Sequence, residues 1–177
     1  MNEQIIIAGS GGQGIMLLGK ILAAAAMNQR KYVTWLPSYG AEVRGGTAFC
    51  MVIISDEEIG SPYITKSDSL IAMNEISLEK FRPRLKNKGV LIVNTSLANR
   101  QLNVNQPMAQ CSFTDIAMKL GNIKVANMVA LGCYLAKKKV LEINGVLDTI
   151  EDIAPQNKKN LVEINKKAVI AGSSLIK

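Results

Sequence analysis

Two glycine-bearing segments hold the residues of this chain best suited to gripping an anion. The first, Gly9-Ser10-Gly11-Gly12-Gln13-Gly14, fits G-x-G-x-x-G and lies between the apolar run Ile5-Ile6-Ile7-Ala8 and a second apolar segment that begins at Ile15. Glycines let the backbone turn tightly and approach a phosphate, and a helix that follows them offers unpaired N–H groups and positive potential. The second is Ser38-Tyr39-Gly40-Ala41-Glu42-Val43-Arg44-Gly45-Gly46. Here Arg44 supplies a planar fork for carboxylate or phosphate, Ser38 and Tyr39 add hydroxyl donors, and Gly45 and Gly46 permit close approach. Each segment has a plainer alternative. The first can serve strand–helix packing alone, and the second can be a surface turn in which Glu42 and Arg44 neutralise each other.

Several chemistries are excluded by what is missing. A dinucleotide fold needs an Asp or Glu at the end of its second strand to hold the ribose. That strand ends here Trp35-Leu36-Pro37-Ser38, and the nearest acid, Glu42, lies in the next loop. A nicotinamide enzyme is therefore disfavoured, and a Walker loop is excluded because no Gly-Lys-Ser/Thr follows the glycines. Histidine is absent, which removes the commonest general base and metal ligand. The 3 cysteines, Cys50, Cys111 and Cys133, form no C-x-x-C pair and cannot supply the four thiolates of a cubane cluster. They read as inert core thiols of a reducing compartment.

The 21 Lys and Arg outnumber the 14 Asp and Glu, for a net charge of +7. The basic clusters Lys137-Lys138-Lys139, Lys158-Lys159 and Lys166-Lys167 fall on helical segments and read as solvated faces, with no aromatic platform between them, so nucleic acid is not the expected partner. No run approaches the ~20 apolar residues of a membrane span, and Met1 to Gln4 carries Glu3 before a short apolar run that stops at a glycine loop. The expectation is a cytoplasmic protein with no membrane partner.

The elements that must position these residues alternate. Gln4–Gly9 reads as a buried strand, Ile15–Met27 as a helix, Tyr32–Leu36 as a strand halted by Pro37, and Thr47–Ile54 as a third strand. Ser69–Met73 and Gly89–Asn94 follow as strands, with a helix over Ser77–Leu85 between them and a short strand near Gln110–Phe113. Helices then cover Thr114–Leu120 and Val125–Lys138, and two more begin after Asn144 and Gln156. The expected fold is α/β: a three-layer α/β/α sandwich with a largely parallel sheet, a Rossmann-like start and a helical C-terminal third, in a single domain over residues 1–177. The helix from Ile15 is apolar nearly all round, which calls for cover on more than one side, from the sheet alone or from a partner subunit. Ligands in open parallel sheets bind beyond the strands' carboxyl ends, so the two glycine segments should face one pocket.

Three motifs in order carry a resemblance: the glycine loop at Gly9–Gly14, the Ser38–Gly46 segment, and the run Ala126-Asn127-Met128-Val129-Ala130-Leu131-Gly132. Together, from about Gln4 to the last helix, they resemble the gamma subunit of the 2-oxoacid:ferredoxin (acceptor) oxidoreductases, a family of pyruvate, 2-oxoglutarate, branched-chain and indolepyruvate enzymes. The resemblance implies a non-autonomous subunit of a complex that oxidatively decarboxylates a 2-oxoacid to the acyl-coenzyme A, with 2-oxoglutarate the favoured substrate. It implies alpha and beta partner subunits, with a delta subunit as a further candidate, and ferredoxin or another acceptor reached through the complex. Thiamine diphosphate, its magnesium and the iron–sulfur clusters would be held by those partners and none by this chain, while coenzyme A is a shared substrate. Carried over, Gly9, Ser10, Gly11, Gly12, Gln13, Gly14, Ser38, Tyr39, Arg44, Gly45, Gly46 and Asn127 become the cofactor-facing or partner-facing residues. Asn127 has an alternative as a helix cap or a buried amide with a backbone partner. Ala41 stands where many relatives have Pro. A stand-alone phosphate-binding regulatory module is the competing expectation, and the sequence leaves open a homodimer of the isolated chain.

Overall fold

The computed structural model describes residues 1–38, 47–98 and 106–176. Its centre is a six-stranded sheet of order β2-β3-β1-β4-β5-β6, built from β1 (Asn2–Ser10), β2 (Tyr32–Ser38), β3 (Thr47–Ser55), β4 (Ser67–Ala72), β5 (Leu85–Asn94) and β6 (Met108–Cys111). β1, β4, β5 and β6 pair in parallel, whereas β3 runs antiparallel to both β1 and β2. Every strand but β3 therefore points one way, and the largely parallel expectation holds. β3 is wedged between β1 and β2, so the strand that follows the first helix is not a neighbour of the strand that precedes it. Only the Rossmann-like start, strand to glycine turn to helix, survives this insertion.

Pro37 does not halt the second strand. β2 continues through it, opposite Cys50, to Ser38. β2 is an edge strand, and a missing N–H is tolerated where one side of the ladder is unpaired.

Parallel strands buried on both faces read as continuous apolar runs, and β1 is one: Ile5, Ile6, Ile7 and Ala8 are wholly buried. Ile5 and Ile7 join Cys50, Val52, Ile71 and Ile92 under the larger helical layer, and Ile6 and Ala8 join Met51, Leu70, Leu91 and Val93 on the other face. The larger layer comprises α1 (Ile15–Asn28), α3 (Phe113–Lys119), α4 (Ala126–Lys138), α5 (Ile143–Asp152) and α6 (Val162–Ser173). The opposite face carries α2 (Glu75–Phe81), which plants Leu78 and Phe81 on the sheet beside Ile64. A turn of 3-10 helix, Arg82–Arg84, contains the Pro83 that ends α2, since Pro cannot donate within a helix.

α1 lies on β2 and β3 and is flanked by α4 and α5. Leu17, Lys20 and Met27 remain exposed on its outer side. The helix most fully enclosed is α4, where every residue from Ala126 to Leu135 is buried. It packs chiefly on α6 and also touches α1, α3 and β5. One buried polar group sits beneath it. Glu3 accepts from Ser69 Oγ at 2.6 Å and from Tyr134 Oη at 3.4 Å, and pairs with Lys138 Nζ at 2.9 Å. Burial, and then the neighbouring Glu3 carboxylate, push the Tyr134 hydroxyl well above its ordinary pKa.

Candidate functional site at the carboxyl edge of the sheet

β1 ends at Ser10, and the chain turns through Gly11–Gly14 into α1. Gly12 and Gly14 have φ of 88° and 71°, a region that L side chains rarely adopt. A Cβ at Gly14 would also come within 2.3 Å of Asn127 Nδ2, whereas one at Gly11 or Gly12 would meet nothing within 4 Å. The loop is thus tight on its helix side and open on its outer side. α1 begins with Gly14 as its cap residue, among the described residues no side-chain hydrogen bond caps its start, and its first turn holds no acid. The first N–H groups of a helix have no intrahelical acceptor and carry the positive end of its dipole. An anion brought to this loop therefore meets these donors, and no acid of the first turn of α1 competes with it.

Carboxamides hold the loop from beneath. Gln13 Oε1 accepts from Ser10 N at 2.7 Å and from Asn74 Nδ2 at 3.2 Å, and Gln13 Nε2 donates to the Met73 carbonyl at 3.3 Å. Asn74 also donates to Ser10 Oγ at 2.6 Å, and its Oδ1 caps α2 by accepting from Ser77 N at 2.9 Å. The Met73 carbonyl takes a second bond from Asn94 Nδ2 at 3.1 Å, and Asn94 Nδ2 further donates to Thr114 Oγ1 at 2.9 Å. From the α4 side, Asn127 Nδ2 donates to the Gly14 carbonyl at 3.0 Å and its Oδ1 accepts from Met128 N at 3.0 Å. Asn127 is only 2% exposed, and this is the buried amide with a backbone partner that the sequence offered as one of its two roles.

A small cleft of about 180 Å³ opens beside the loop, walled by Gly12, Gln13, Met73, Thr114, Lys124 and Ala126. Lys124 brings an exposed cation to its rim.

Of the second segment, Ser38 is the last residue of β2 and pairs with Phe49. Tyr39, Arg44, Gly45 and Gly46 lie outside the described residues. The bounding residues lie at the relevant edge, since Thr47 pairs with Ser10, the last residue of β1. β2 runs parallel in direction to β1, so Ser38 ends at the same side of the sheet.

Asn74, Asn94, Thr114 and Lys124 escaped the sequence reading. A signal existed for the two asparagines: each closes or follows a parallel strand, in Ile71-Ala72-Met73-Asn74 and Leu91-Ile92-Val93-Asn94, where ligand-side residues gather. Among the described residues, no group of three or more His, Cys, Asp and Glu side chains converges as a metal site.

Residues 4–175 match the family described as Pyruvate ferredoxin/flavodoxin oxidoreductase. The chain belongs to this family. Among its members, the 2-oxoglutarate synthase subunit KorC of Methanocaldococcus jannaschii is 33% identical over 177 residues, covering 97% of this chain and 95% of its own. The ketoisovalerate oxidoreductase subunit VorA of Methanothermobacter marburgensis is 33% identical over 171 residues, but there the match spans 96% of this chain and 36% of the relative. This chain thus spans about a third of the length of the VorA relatives it matches. A solved structure from the family, the gamma subunit of a keto/oxoacid ferredoxin oxidoreductase from Geobacter sulfurreducens, superposes with a TM-score of 0.85 at 31% identity, over 98% of this chain and 97% of that one. The same fold recurs at 21% identity and a TM-score of 0.88 in 31% of a chain of the 2-oxoglutarate:ferredoxin oxidoreductase from Magnetococcus marinus.

Within the family, several relatives of this length are named as single subunits of larger enzymes. The described part of this chain contains no helix long and apolar enough to cross a membrane.

Proposed function

We propose that this chain is the gamma subunit of a thiamine diphosphate-dependent 2-oxoacid:ferredoxin oxidoreductase, which converts a 2-oxoacid and coenzyme A to the acyl-coenzyme A and carbon dioxide. The observation that carries this reading is the family match over residues 4–175, in a chain whose glycine loop opens at the carboxyl edge of the sheet. In the complex, thiamine diphosphate and iron–sulfur clusters would be held by the partner subunits and would supply the decarboxylation chemistry and the electron path to ferredoxin. This chain contributes binding. We assign the open side of Gly11 and Gly12, with the first amides of α1, to a phosphate group of coenzyme A or an acidic group of a partner, and Ser38, Tyr39 and Arg44 of the second segment to the same ligand.

The substrate we favour is 2-oxoglutarate. Supporting it, the KorC relatives from Methanocaldococcus jannaschii and Methanothermobacter marburgensis match this chain over nearly their whole length, at 95% and 97%.

Purification from native cells tests the assignment. Alpha and beta subunits bearing thiamine diphosphate and iron–sulfur absorbance should co-purify, and a solitary chain would sink it. In the complex, Arg44→Ala should raise the KM for coenzyme A with kcat little changed, and an unaltered KM removes Arg44 from the pocket. Comparing kcat/KM for 2-oxoglutarate, pyruvate and 2-ketoisovalerate decides the substrate.

A further inference from the structure

Asn74 ties the start of α2 to the glycine loop across 64 residues of sequence. As the cap residue of α2 it accepts through Oδ1 from Ser77 N at 2.9 Å, and through Nδ2 it donates to Ser10 Oγ at 2.6 Å and to Gln13 Oε1 at 3.2 Å. The N–H of Ser77 can only donate, so it fixes which end of the Asn74 carboxamide is oxygen. Gln13 is fixed in the same way, because Ser10 N donates to its Oε1 at 2.7 Å and the Met73 carbonyl accepts from its Nε2 at 3.3 Å. Backbone groups thus set the polarity of both carboxamides. Gln13 keeps its two backbone partners without Asn74, so what Asn74 alone controls in the loop is the Ser10 hydroxyl.

Ser10 Oγ accepts from Asn74, and its hydroxyl hydrogen must therefore point elsewhere. Among the described residues, no hydrogen bond donated by that hydroxyl is found. Ile6 and Ala8 of β1 face the α2 side of the sheet, and two-residue alternation puts the Ser10 side chain on that side as well. Ser10 is half-buried and pairs with Thr47, the residue that follows the second glycine-bearing segment. Beside it, Gly11 and Gly12 are open on their outer side. A hydroxyl with a fixed accepting side thus stands where the two segments meet.

We propose that Asn74 is a positioning residue for the anion at the glycine loop: by holding Ser10 Oγ as an acceptor, it directs the Ser10 hydroxyl hydrogen to a phosphate oxygen of the ligand. The inference rests on the proposed function, in which that phosphate belongs to coenzyme A. An ionised phosphate presents acceptor oxygens, so it is matched by a donor and opposed by a lone pair. A hydroxyl free to rotate offers either. Fixing the rotor before the ligand arrives removes an ordering cost from binding. Asn74 itself touches no ligand and acts through Ser10.

The test uses the purified complex with coenzyme A as the varied substrate. Asn74→Ser separates capping from positioning, because a serine hydroxyl can replace Oδ1 as the α2 cap but cannot also reach Ser10. Asn74→Thr is the second variant should the first fold poorly. Asn74→Ser should raise the KM for coenzyme A about fivefold, with kcat and the thermal unfolding midpoint close to wild type. Ser10→Ala should raise it about tenfold, while Ser10→Thr, which keeps the hydroxyl, should stay within about twofold of wild type. Added to Ser10→Ala, Asn74→Ser should change KM little further, since the group it acts through is already gone. An unchanged KM in Asn74→Ser overturns the proposal, and so does an Asn74→Ser effect that persists in full beside Ser10→Ala. Gly11→Asp, which sets a carboxylate on the open side of the loop, tells the two readings apart. If it raises KM while Asn74→Ser does not, the phosphate binds at the loop and the positioning role alone falls. If Gly11→Asp leaves KM unchanged, the assignment of coenzyme A to the loop falls and takes the proposal with it.

Discussion

Asn127 Nδ2 donates to the Gly14 carbonyl at 3.0 Å, across 113 residues of sequence, and so ties the start of α4 to the start of α1. The bond is short-range in space and long-range in the chain, which makes the glycine loop's shape a property of the whole domain.

Asn127→Ala therefore removes one of the two hydrogen bonds to the Gly14 carbonyl, which keeps the one from Leu18 N, and leaves the Met128 N–H without its side-chain acceptor. The expected loss is about 1–3 kcal/mol, read from a urea unfolding midpoint. Gly14→Ala should cost at least as much, because it adds strain at positive φ to a contact of 2.3 Å with Asn127 Nδ2. The double variant Gly14→Ala, Asn127→Ala should be less destabilised than the two single losses added together, since the second removes the atom that the first strikes.

The crossing of α4 and α6 depends on two glycines. A Cβ at Gly132 would lie 1.9 Å from the Val169 carbonyl oxygen, and one at Gly172 would lie 2.0 Å from that of Val129. Neither acceptor is a flexible side chain, so the helices must separate. Either glycine replaced by Ala should lower stability by about 1–3 kcal/mol, or more where the crossing cannot adjust, and thermal unfolding checks it.

Glu3, Lys138, Ser69 and Tyr134 form a network at the other end of β1. Lys138→Met strands a carboxylate that is 6% exposed, and the expected loss is about 3 kcal/mol. Lys138→Met combined with Glu3→Gln should recover much of it, since an uncharged amide can still accept from Ser69. Chemical denaturation of the single and double variants separates these outcomes.

Asp56 provides a pH dependence with a defined sign. A hydrogen bond from Lys31 at 2.6 Å, and a second from the N-terminal ammonium, hold its carboxyl at about 2. A carboxyl depressed on folding adds stability that is complete above its unfolded pKa, near 4, and is lost as pH falls through about 2. The urea midpoints of wild type and Asp56→Asn should therefore differ at neutral pH and converge toward pH 2. The group is exposed, so high salt should shrink the difference.

Much of the strand–helix alternation was legible because its signals are local. Ile5-Ile6-Ile7-Ala8, the glycines after it, and the apolar stretch from Ile15 specify a strand, a turn and a helix without knowledge of the rest. Pro37 misled, because a proline stops an inner strand but not an edge one, and edge status follows from where β3 inserts. That insertion is a matter of pairing between distant segments, and no residue of β2 announces it. The same limit hid the supports of the site. Gly14 was visible as a loop residue, but its dependence on Asn127, and that of Gln13 on Asn74 and Met73, arises only when strands and helices come together.

The antiparallel wedge of β3 has an effect beyond the arrangement of the site. By pushing β2 outward it places Pro37 in the rim strand of the sheet, where an incoming strand would seek a ladder of donors. A proline there breaks that ladder, and growth of the sheet into intermolecular aggregates is discouraged at the rim. The residue that looked like a full stop within the chain thus acts as a guard against other chains.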